Sequence, residues 1–394
     1  YITTIWGYEG FIWDFNINKF LISIMLLAIS TQILPYEFQK PSDLLLHIQF
    51  IFPIFFMLIL YAAENLSSYY TIFSIFSFFL IVLFARYDIT VPRTKLGKYG
   101  QTKVFYFFLL IFVFLVAILF ITHKDYFNLN FAKVYDYRMI LREVDTGIWG
   151  YVWFSLFPLL ASFLLTMSII HNKQITLVLL SLSLILVFAL TSHKHFLFIP
   201  VTLVGLYWIS CSKKPITLML IILLGLSIIS VILDKLWLSV WARALVINRL
   251  FLTPAQLNFF YYDFFSQNQM IFWTDTKWLL LDRIIDYPYS LPMPKVIGYQ
   301  YFGNPETSAN TGWLGSGYAH AGVIGILLYA AVLGVILKYI DYKSQNLGKR
   351  FIVTSFSPFI SPLFFSSDLK TVFLTHGFLF YLLIIFFLKH KSAD

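Results

Sequence analysis

Long apolar runs alternate with short polar segments along most of the chain. The runs approach or exceed the roughly 20 residues that cross the bilayer core as a helix. The period-two alternation of polar and apolar positions that is typical of a membrane barrel is absent. We therefore predict eleven or more transmembrane helices, with apolar spans at residues 19–35, 44–63, 69–85, 104–122, 149–170, 175–190, 196–210, 216–233, 318–339, 351–365 and 371–388.

The predicted architecture is an all-α, polytopic integral membrane protein with a single membrane domain over residues 1–394. One long polar and aromatic segment, at about residues 234–315, interrupts the spans and contains sequences typical of short amphipathic helices. The tenth span carries Pro358 and Pro362, which predicts a broken or kinked helix packed inside protein. The chain begins at Tyr1, and we expect a further span upstream.

Basic residues in the short loops predict the orientation of the spans in the membrane. Five lysines and arginines lie between Arg86 and Lys103, and other basic residues follow the seventh, ninth and eleventh spans. Alternating spans place all of these on one side, which we predict to be cytoplasmic. The outer side then holds the segments at 123–148, 191–195, 234–315 and 366–370. The formal net charge of +9 is thus explained by membrane topology, and no nucleic-acid-binding motif is present.

Composition supports the membrane class and limits the chemistry. Hydrophobic residues make up 59% of the chain and charged residues 12%, whereas soluble domains carry about a quarter charged residues. The single cysteine, Cys211, excludes a disulfide scaffold. The sequence lacks an Asp-x-Asp pair, a Walker-type phosphate loop and a Gly-x-Ser-x-Gly elbow. These absences argue against a metal-dependent sugar-nucleotide transferase, an ATP-driven pump and a serine hydrolase.

Five of the eight arginines fall on the predicted outer side: Arg138, Arg142, Arg243, Arg249 and Arg283. Guanidinium groups form forked, charge-assisted hydrogen bonds to phosphate and keep their charge in most environments. An outer cluster of arginines near the membrane therefore indicates an anionic substrate such as a lipid-linked diphosphate. Interfacial helices whose charged side chains reach towards water are the alternative explanation.

Two of these arginines belong to the sequence that runs from Val134 through Tyr135 to Arg142. Arg138 and Arg142 are four residues apart, so on a helix they share a face and can converge on one anion. Lys194 lies in a short turn at membrane depth, where an unpaired charge is costly, and could sit beside a phosphate. His193 and His195 flank it without a carboxylate or cysteine partner set, so we predict no metal site there.

A second basic sequence contains Arg243 and Arg249, followed by a Thr253-Pro254 break and a predicted second helix from near Pro254. The two arginines are six residues apart, about 120° around a helix, and need not bind the same group.

Polar groups cluster where the chain re-enters the predicted membrane. Five glycines between Gly312 and Gly325 allow close approach of backbones, Asn310 and Thr311 directly precede them, and Tyr318 and His320 lie among them. A histidine at this position could act as a general base towards a sugar hydroxyl. Tight helix packing, with His320 bonded to a neighbour, is the alternative.

These motifs resemble those of the O-antigen polymerases, the bacterial oligosaccharide repeat-unit polymerases. The resemblance covers the pattern of spans with one long outer loop. It is carried by the turn from Val134 to Arg138, by residues 190–194, and by Asn248-Arg249 with Thr253-Pro254 and Tyr261-Tyr262. The sequence from Asn310-Thr311 to Gly322 also belongs to it.

The resemblance implies a multi-pass enzyme of the bacterial inner (cytoplasmic) membrane with a periplasmic active site. It would transfer glycan from undecaprenyl diphosphate to the sugar of another lipid-linked repeat unit, without metal, nucleotide or other cofactor. Its partners would be the lipid-linked donor and acceptor, membrane lipid and, as a candidate, a chain-length regulator protein. In this scheme Arg243, Arg249 and His320 are the predicted catalytic residues, and the predicted substrate-binding residues are Tyr135, Arg138, Arg142, Lys194, Asn310, Thr311 and Tyr318.

Two other functions remain open from the sequence. An O-antigen ligase, which transfers glycan to a lipid A core, shares the multi-span layout and the long outer loop. A polysaccharide flippase or other transporter predicts a charged, water-filled path between the spans. The spans hold few ionisable residues, with His47 the main interior candidate.

Overall fold

The computed structural model describes residues 2–87, 99–144, 147–237, 241–276 and 284–389. Within these residues the protein is all-helical apart from a two-residue parallel pairing of β1 (Tyr99–Gly100) with β2 (Leu388–Lys389). The helices of the first half of the chain are α1 Ile2–Trp6, α2 Ile17–Ile33, α3 Pro41–Gln49, α4 Phe56–Ala63, α5 Ser68–Arg86, α6 Gln101–His123, α7 Val134–Val144, α8 Ile148–Tyr151, α9 Phe157–Ile170 and α10 Gln174–Thr191.

The second half continues in the same way. Its helices are α11 His195–Cys211, α12 Pro215–Trp237, α13 Trp241–Arg243, α14 Thr253–Gln267, α15 Met293–Phe302, α16 Trp313–Leu347, α17 Lys349–Ser355, α18 Ser357–Ser361, α19 Leu369–Leu374 and α20 Phe378–Phe387. Four π-helical stretches join neighbouring helices: Phe50–Phe55, Val152–Leu156, Ala244–Leu252 and Pro362–Ser366.

Seven helices of the described part are long and apolar enough to cross a membrane, which makes this a helical membrane protein by length and composition. They are Pro41–Ala63, Ser68–Arg86, Gln101–Tyr126, Ile148–Ile170, Gln174–Thr191, Pro215–Leu236 and Trp313–Leu347. Three shorter apolar helices are α2, α11 and α20. Each of the eleven predicted apolar runs is mainly helical, but the number that spans the bilayer stays a prediction.

Prolines interrupt the tenth predicted span. The run is divided into α17, α18 and the π-helical stretch Pro362–Ser366, with Pro358 and Pro362 each near the start of a new segment. Most side chains of these segments are buried. Packing against other helices therefore compensates for the backbone hydrogen bonds that proline cannot form.

A break inside α16 separates a short first part from the long remainder. The predicted span began at residue 318, but the helix begins at Trp313 and its regular geometry is lost at Ala321 (φ −152°) and Gly322 (φ +60°). The chain folds back so closely that a Cβ built on Gly325 would lie 2.0 Å from the carbonyl oxygen of Gly317. The predicted close approach of backbones is present here, and it is possible because glycine has no side chain.

Contacts at one end of the helices connect segments predicted to be cytoplasmic. The Lys349 ammonium donates to the carbonyl of Phe38 at 2.6 Å, and the Ser42 hydroxyl donates to Asp341 at 2.6 Å. The pairing of β1 with β2 lies at the same end. At the other end, Asn128 of the predicted outer segment 123–148 donates its backbone N–H to the carbonyl of Ala189, near the end of a predicted span, at 2.7 Å.

Candidate functional site

Arg138 and Lys194 come from two outer segments that lie against each other. Arg138 lies in α7, as the predicted helical spacing requires, and its Nε donates to the carbonyl of Ser192 at 3.0 Å. Ser192 and Lys194 belong to the turn between α10 and α11, where Ser192 has a left-handed φ of +55°. The Lys194 ammonium lies 5.9 Å from the centre of the Phe131 ring. These two cations form what we call the α7–α11 basic group.

Histidines surround the α7–α11 basic group. The charges of Arg138 and His376 both act on the imidazole of His195, so these three side chains are close in space. His193 packs edge-on against Phe154, with ring centres 4.4 Å apart. No metal-binding group of three His, Cys, Asp or Glu side chains occurs among these histidines in the described residues.

Three residues named by the sequence analysis cannot be assigned contacts. The backbones of Tyr135 and Arg142 lie in α7, but their side chains fall outside the described residues. Arg283 lies in the segment 277–283, which is also outside them. Convergence of Arg138 and Arg142 on one anion therefore stays a prediction.

Arg243 is paired with an acid. Its Nε donates to Asp234 at 2.7 Å, and its backbone N–H donates to the same carboxylate at 3.2 Å. Asp234 lies near the end of α12, and 15% of the Arg243 side chain is exposed. This pair holds the guanidinium at the junction of α12 and α13 and lowers the net charge that Arg243 offers to a ligand.

Arg249 is exposed and lies beside the N-terminal segment. The adjacent Asn248 donates to the Glu9 carboxylate at 3.0 Å and accepts from the Thr253 hydroxyl at 3.1 Å, so the π-helical stretch is attached to both neighbours. The Arg249 charge acts on Tyr8. Within the described residues its guanidinium makes no hydrogen bond or ion pair, and it remains able to bind an anion.

A cleft of about 670 Å³ lies between Arg243 and the end of α4. Its lining includes Trp6 and Trp13 from the N-terminal segment, Ile247 from the π-helical stretch, and Glu64 just after α4. Glu64 is 7% exposed, and burial raises the pKa of its carboxyl from 4.5 to about 7. A titratable group with a shifted pKa in a cleft is a candidate functional group.

The Asn310-Thr311 sequence contributes to packing around α14. The Thr311 hydroxyl donates to the side-chain oxygen of Asn258 at 2.9 Å, and the Gly315 N–H donates to the same oxygen at 3.0 Å. Thr311 is buried, so the hydrogen bond to Asn258 accounts for its hydroxyl. Asn310 is exposed and remains able to contact a ligand.

Tyr318 belongs to a group of packed aromatic rings. Its ring centre lies 5.1 Å from that of Tyr262 and 5.7 Å from that of Tyr70. Tyr70 and Tyr262 also stack on each other at 4.8 Å. Tyr318 is 6% exposed, so in this arrangement it joins α5, α14 and α16.

His320 is fully buried and belongs to a hydrogen-bonded network. Its Nδ1 accepts from the backbone N–H of Trp273 at 3.2 Å, which leaves Nε2 as the protonated nitrogen. Nε2 then donates to Asp368 at 2.8 Å, and the Tyr329 hydroxyl donates to the other Asp368 oxygen at 2.8 Å. Trp273 Nε1 completes the network by donating to the Tyr329 oxygen at 2.9 Å. Because both ring nitrogens are engaged, the imidazole presents no free lone pair in this arrangement.

An ion pair extends the network to its exposed side. The Lys370 ammonium contacts Asp275 and lies 3.5 Å from Asp368. Burial alone would raise the pKa of Asp368, but His320, Lys370 and Tyr329 together lower it to about 2. The ligand atoms of Asp275, His320 and Asp368 lie within 4.8 Å of one another, a spacing that could hold a metal ion. The Lys370 ammonium already supplies a positive charge to both carboxylates.

Four of these polar residues were not predicted from the sequence: Glu64, Asp275, Asp368 and Lys370. Glu64 directly follows a predicted span, and the acids of the network belong to loops without a recognisable motif. An acidic residue immediately after an apolar run was the available signal for Glu64. For Asp368, the signal was its position in the short loop after a proline-broken span.

The predicted residues form separate groups in the described structure. Arg138 contacts the turn that carries Lys194, Arg243 directly precedes the π-helical stretch that contains Arg249, and His320 lies in the Asp368 network. No described contact joins His320 to Arg243 or Arg249. Comparison of the chain with protein-family models, with curated proteins and with solved structures finds no significant match.

Proposed function

We propose that this protein is a glycosyltransferase that polymerises undecaprenyl-diphosphate-linked oligosaccharide repeat units into O-antigen or a similar surface polysaccharide. It would act at the periplasmic face of a bacterial inner membrane. The observation that carries the proposal is the contact of Arg138 with the Ser192–Lys194 turn, which brings two cations from separate segments to one end of an apolar helical bundle. Cations at the end of such a bundle suit a substrate with an anionic head and an apolar tail.

In the proposed reaction, a sugar hydroxyl of the acceptor attacks the anomeric carbon of the donor glycan. The new glycosidic C–O bond forms as the bond from that carbon to the diphosphate oxygen breaks. The electron pair of the broken bond stays on the departing undecaprenyl diphosphate, and the hydroxyl proton passes to a base. No metal, nucleotide or other cofactor takes part.

Cationic side chains stabilise the charge that develops on the leaving diphosphate, often the largest catalytic contribution. Arg249, which is exposed and without an ionic partner among the described residues, suits this role. Arg243 is positioned by Asp234 and lines the cleft near the same π-helical stretch. Arg138, Arg142 and Lys194 would bind the diphosphate of the second lipid-linked substrate. Tyr135, Asn310, Thr311 and Tyr318 are proposed to shape the sugar site.

His320 is best assigned an indirect role in this scheme. The two ring nitrogens of His320 hydrogen-bond the backbone of Trp273 and the carboxylate of Asp368. His320 would therefore hold the segment that contains Trp273 against α16. To act as the base, it would first have to lose the hydrogen bond from Trp273.

The decisive experiment is polymerisation in proteoliposomes from purified protein and lipid-linked repeat units. The wild-type protein is expected to produce a ladder of lipid-linked polymer without added metal. Arg138→Ala and Arg249→Ala should each lower kcat/KM about tenfold to a hundredfold, the range for losing one charge-assisted hydrogen bond. Lys295→Ala is the matched control, because Lys295 also lies on the predicted outer side but pairs with Glu306.

The products separate this function from its rivals. Transfer of glycan only to added lipid A core would identify a ligase. Movement of lipid-linked repeats across the bilayer without a new glycosidic bond would identify a transporter. Either result, or wild-type rates in both arginine variants, would contradict the proposal.

A further inference from the structure

The cleft beside Arg243 contains a carboxyl group that the proposed function has not used. We propose that Glu64 is the base that accepts the proton of the attacking acceptor hydroxyl, and that this cleft holds the reacting ends of the two substrates. The inference rests on the proposed function and adds to it the group that moves the proton.

The cleft has the size and composition of a binding site. Its volume of about 670 Å³ falls in the range of small-molecule sites, which are mostly apolar with a few polar groups. Trp6 and Trp13 provide aromatic surfaces, and Trp13 is 71% exposed. Glu64 and Arg243 are the charged side chains that line it. An acid and a guanidinium in one cleft match the two charges of the reaction, a proton acceptor and a stabiliser of the diphosphate.

Several segments hold Glu64 in place. It follows α4, and its backbone N–H donates to the Leu60 carbonyl at 2.9 Å. The backbone of Ile12 lies beside the carboxyl group, where it partly offsets the effect of burial on the Glu64 pKa. The N-terminal segment is fixed beside it because the Asp14 N–H donates to the Ala63 carbonyl at 2.9 Å. The carboxyl therefore belongs to a defined wall of the cleft.

The environment of Glu64 also suits proton transfer. Burial raises its pKa to about 7, and a base is most effective when its pKa is near the working pH. Other ionisable side chains on the surrounding segments include Tyr8, Glu9, Asp14, Lys19, Tyr61, Asp234, Lys235, Arg243 and Arg249. Arg243 is already paired with Asp234, and the Lys19 ammonium donates to the carbonyls of Asn65 and Leu66.

One proton moves to Glu64 in each addition. The Glu64 carboxylate takes the proton as the acceptor oxygen bonds to the anomeric carbon, and becomes a carboxylic acid. The diphosphate departs with the electron pair of the broken C–O bond. Loss of the proton to water then restores the carboxylate for the next addition.

The test measures kcat and KM for Glu64→Gln and Glu64→Asp in the proteoliposome assay between pH 6 and pH 8.5. Glu64→Gln should lower kcat by at least about a hundredfold with KM nearly unchanged, since proton transfer contributes about 10²–10⁴. Wild-type activity should rise with pH through about 7 as Glu64 ionises, and Glu64→Gln should lack this rise. Glu64→Asp keeps the charge but shortens the side chain, and should lower kcat less than Glu64→Gln.

Glu37→Gln is the control, because Glu37 is an exposed glutamate beyond the opposite end of α2, and this variant should match wild type. A wild-type kcat in Glu64→Gln, or a change confined to KM, overturns the role of Glu64. The proposed function is still supported in that case if the wild-type protein synthesises polymer. If Glu64→Gln does not fold, a wild-type kcat in Glu64→Asp overturns it instead. Absence of polymer from the wild type overturns both proposals.

Discussion

Burial of a single carboxyl makes Glu64 a source of instability as well as a candidate base. Its pKa in the folded protein, about 7, lies above the ordinary value of 4.5. A group whose pKa is raised on folding stabilises the protein most below its unfolded pKa, and this contribution is lost as pH rises through the folded pKa. The affected window therefore runs from about pH 4.5 to pH 7.

We expect Glu64→Gln to raise the Tm of the detergent-solubilised protein at pH 8 and to have little effect at pH 4.5. The amide cannot ionise, so it avoids the cost of a buried charge, which is on the order of 3 kcal/mol at most for this change in pKa. Thermal unfolding of wild type, Glu64→Gln and Glu37→Gln at both pH values checks this. An equal Tm difference at the two pH values would contradict the assigned cause.

The sequence singles out individual cations but does not identify their partners. Arg138 and Lys194 were identifiable because a charge near an apolar span needs an explanation. Arg243 pairs with an acid only nine residues away, whereas the pairing of His320 with Asp368 spans 48 residues and depends on how distant segments pack. The cleft around Glu64 could not be predicted either, because it combines side chains from three separate parts of the chain, within residues 3–13, 59–64 and 231–252.

At the scale of elements, boundaries follow apolar length closely where a helix is regular. The runs predicted at 175–190 and 196–210 correspond to Gln174–Thr191 and His195–Cys211. Agreement is poorer at α16, where the helix starts at Trp313 and breaks at Gly322. Hydrophobicity could not predict that break, because it depends on backbone dihedral angles and on contact between Gly317 and Gly325.

The break in α16 predicts a strong effect of adding one methyl group. Gly325→Ala should destabilise the protein by about 1–3 kcal/mol, because its Cβ would overlap the Gly317 carbonyl oxygen. Gly322→Ala should have a similar cost, since alanine is strained at a φ of +60°.

The matched control is Gly225→Ala in α12, where nothing lies within 4 Å of the added Cβ. This change should be neutral or stabilising, by up to about 1 kcal/mol from helix propensity. Thermal unfolding and the yield of monodisperse protein are the measurements. Equal stability of the Gly225 and Gly325 variants would show that the close approach does not constrain the fold.

At the scale of the whole molecule, the orientation rests on the distribution of lysine and arginine. Some loops that this distribution places on the same side contact one another: Lys349 contacts Phe38 on one side, and Arg138 contacts Ser192 on the other. Charge counting could separate the loops into two sides, but it could not show which loops of one side are neighbours.

Labelling of single cysteines tests the orientation. In a Cys211→Ser background, Asn304→Cys should react with a membrane-impermeant maleimide in intact spheroplasts, because Asn304 is exposed on the predicted outer side. Gln345→Cys, exposed at the other end of α16, should react only after lysis. The reverse pattern would place the cleft and the α7–α11 basic group in the cytoplasm.

The position of α12 has a consequence for how a substrate finds the protein. Only 17% of an apolar 18-residue stretch of α12 is buried, so most of this helix faces outward. Near the end of the helix, Val231 lines the cleft together with Arg243. A lipid-anchored substrate of the kind we propose could therefore approach from within the bilayer and keep its tail among lipids. The search would be confined to two dimensions, and its rate would depend on the surface density and lateral diffusion of the lipid carrier, with little dependence on the volume of the periplasm.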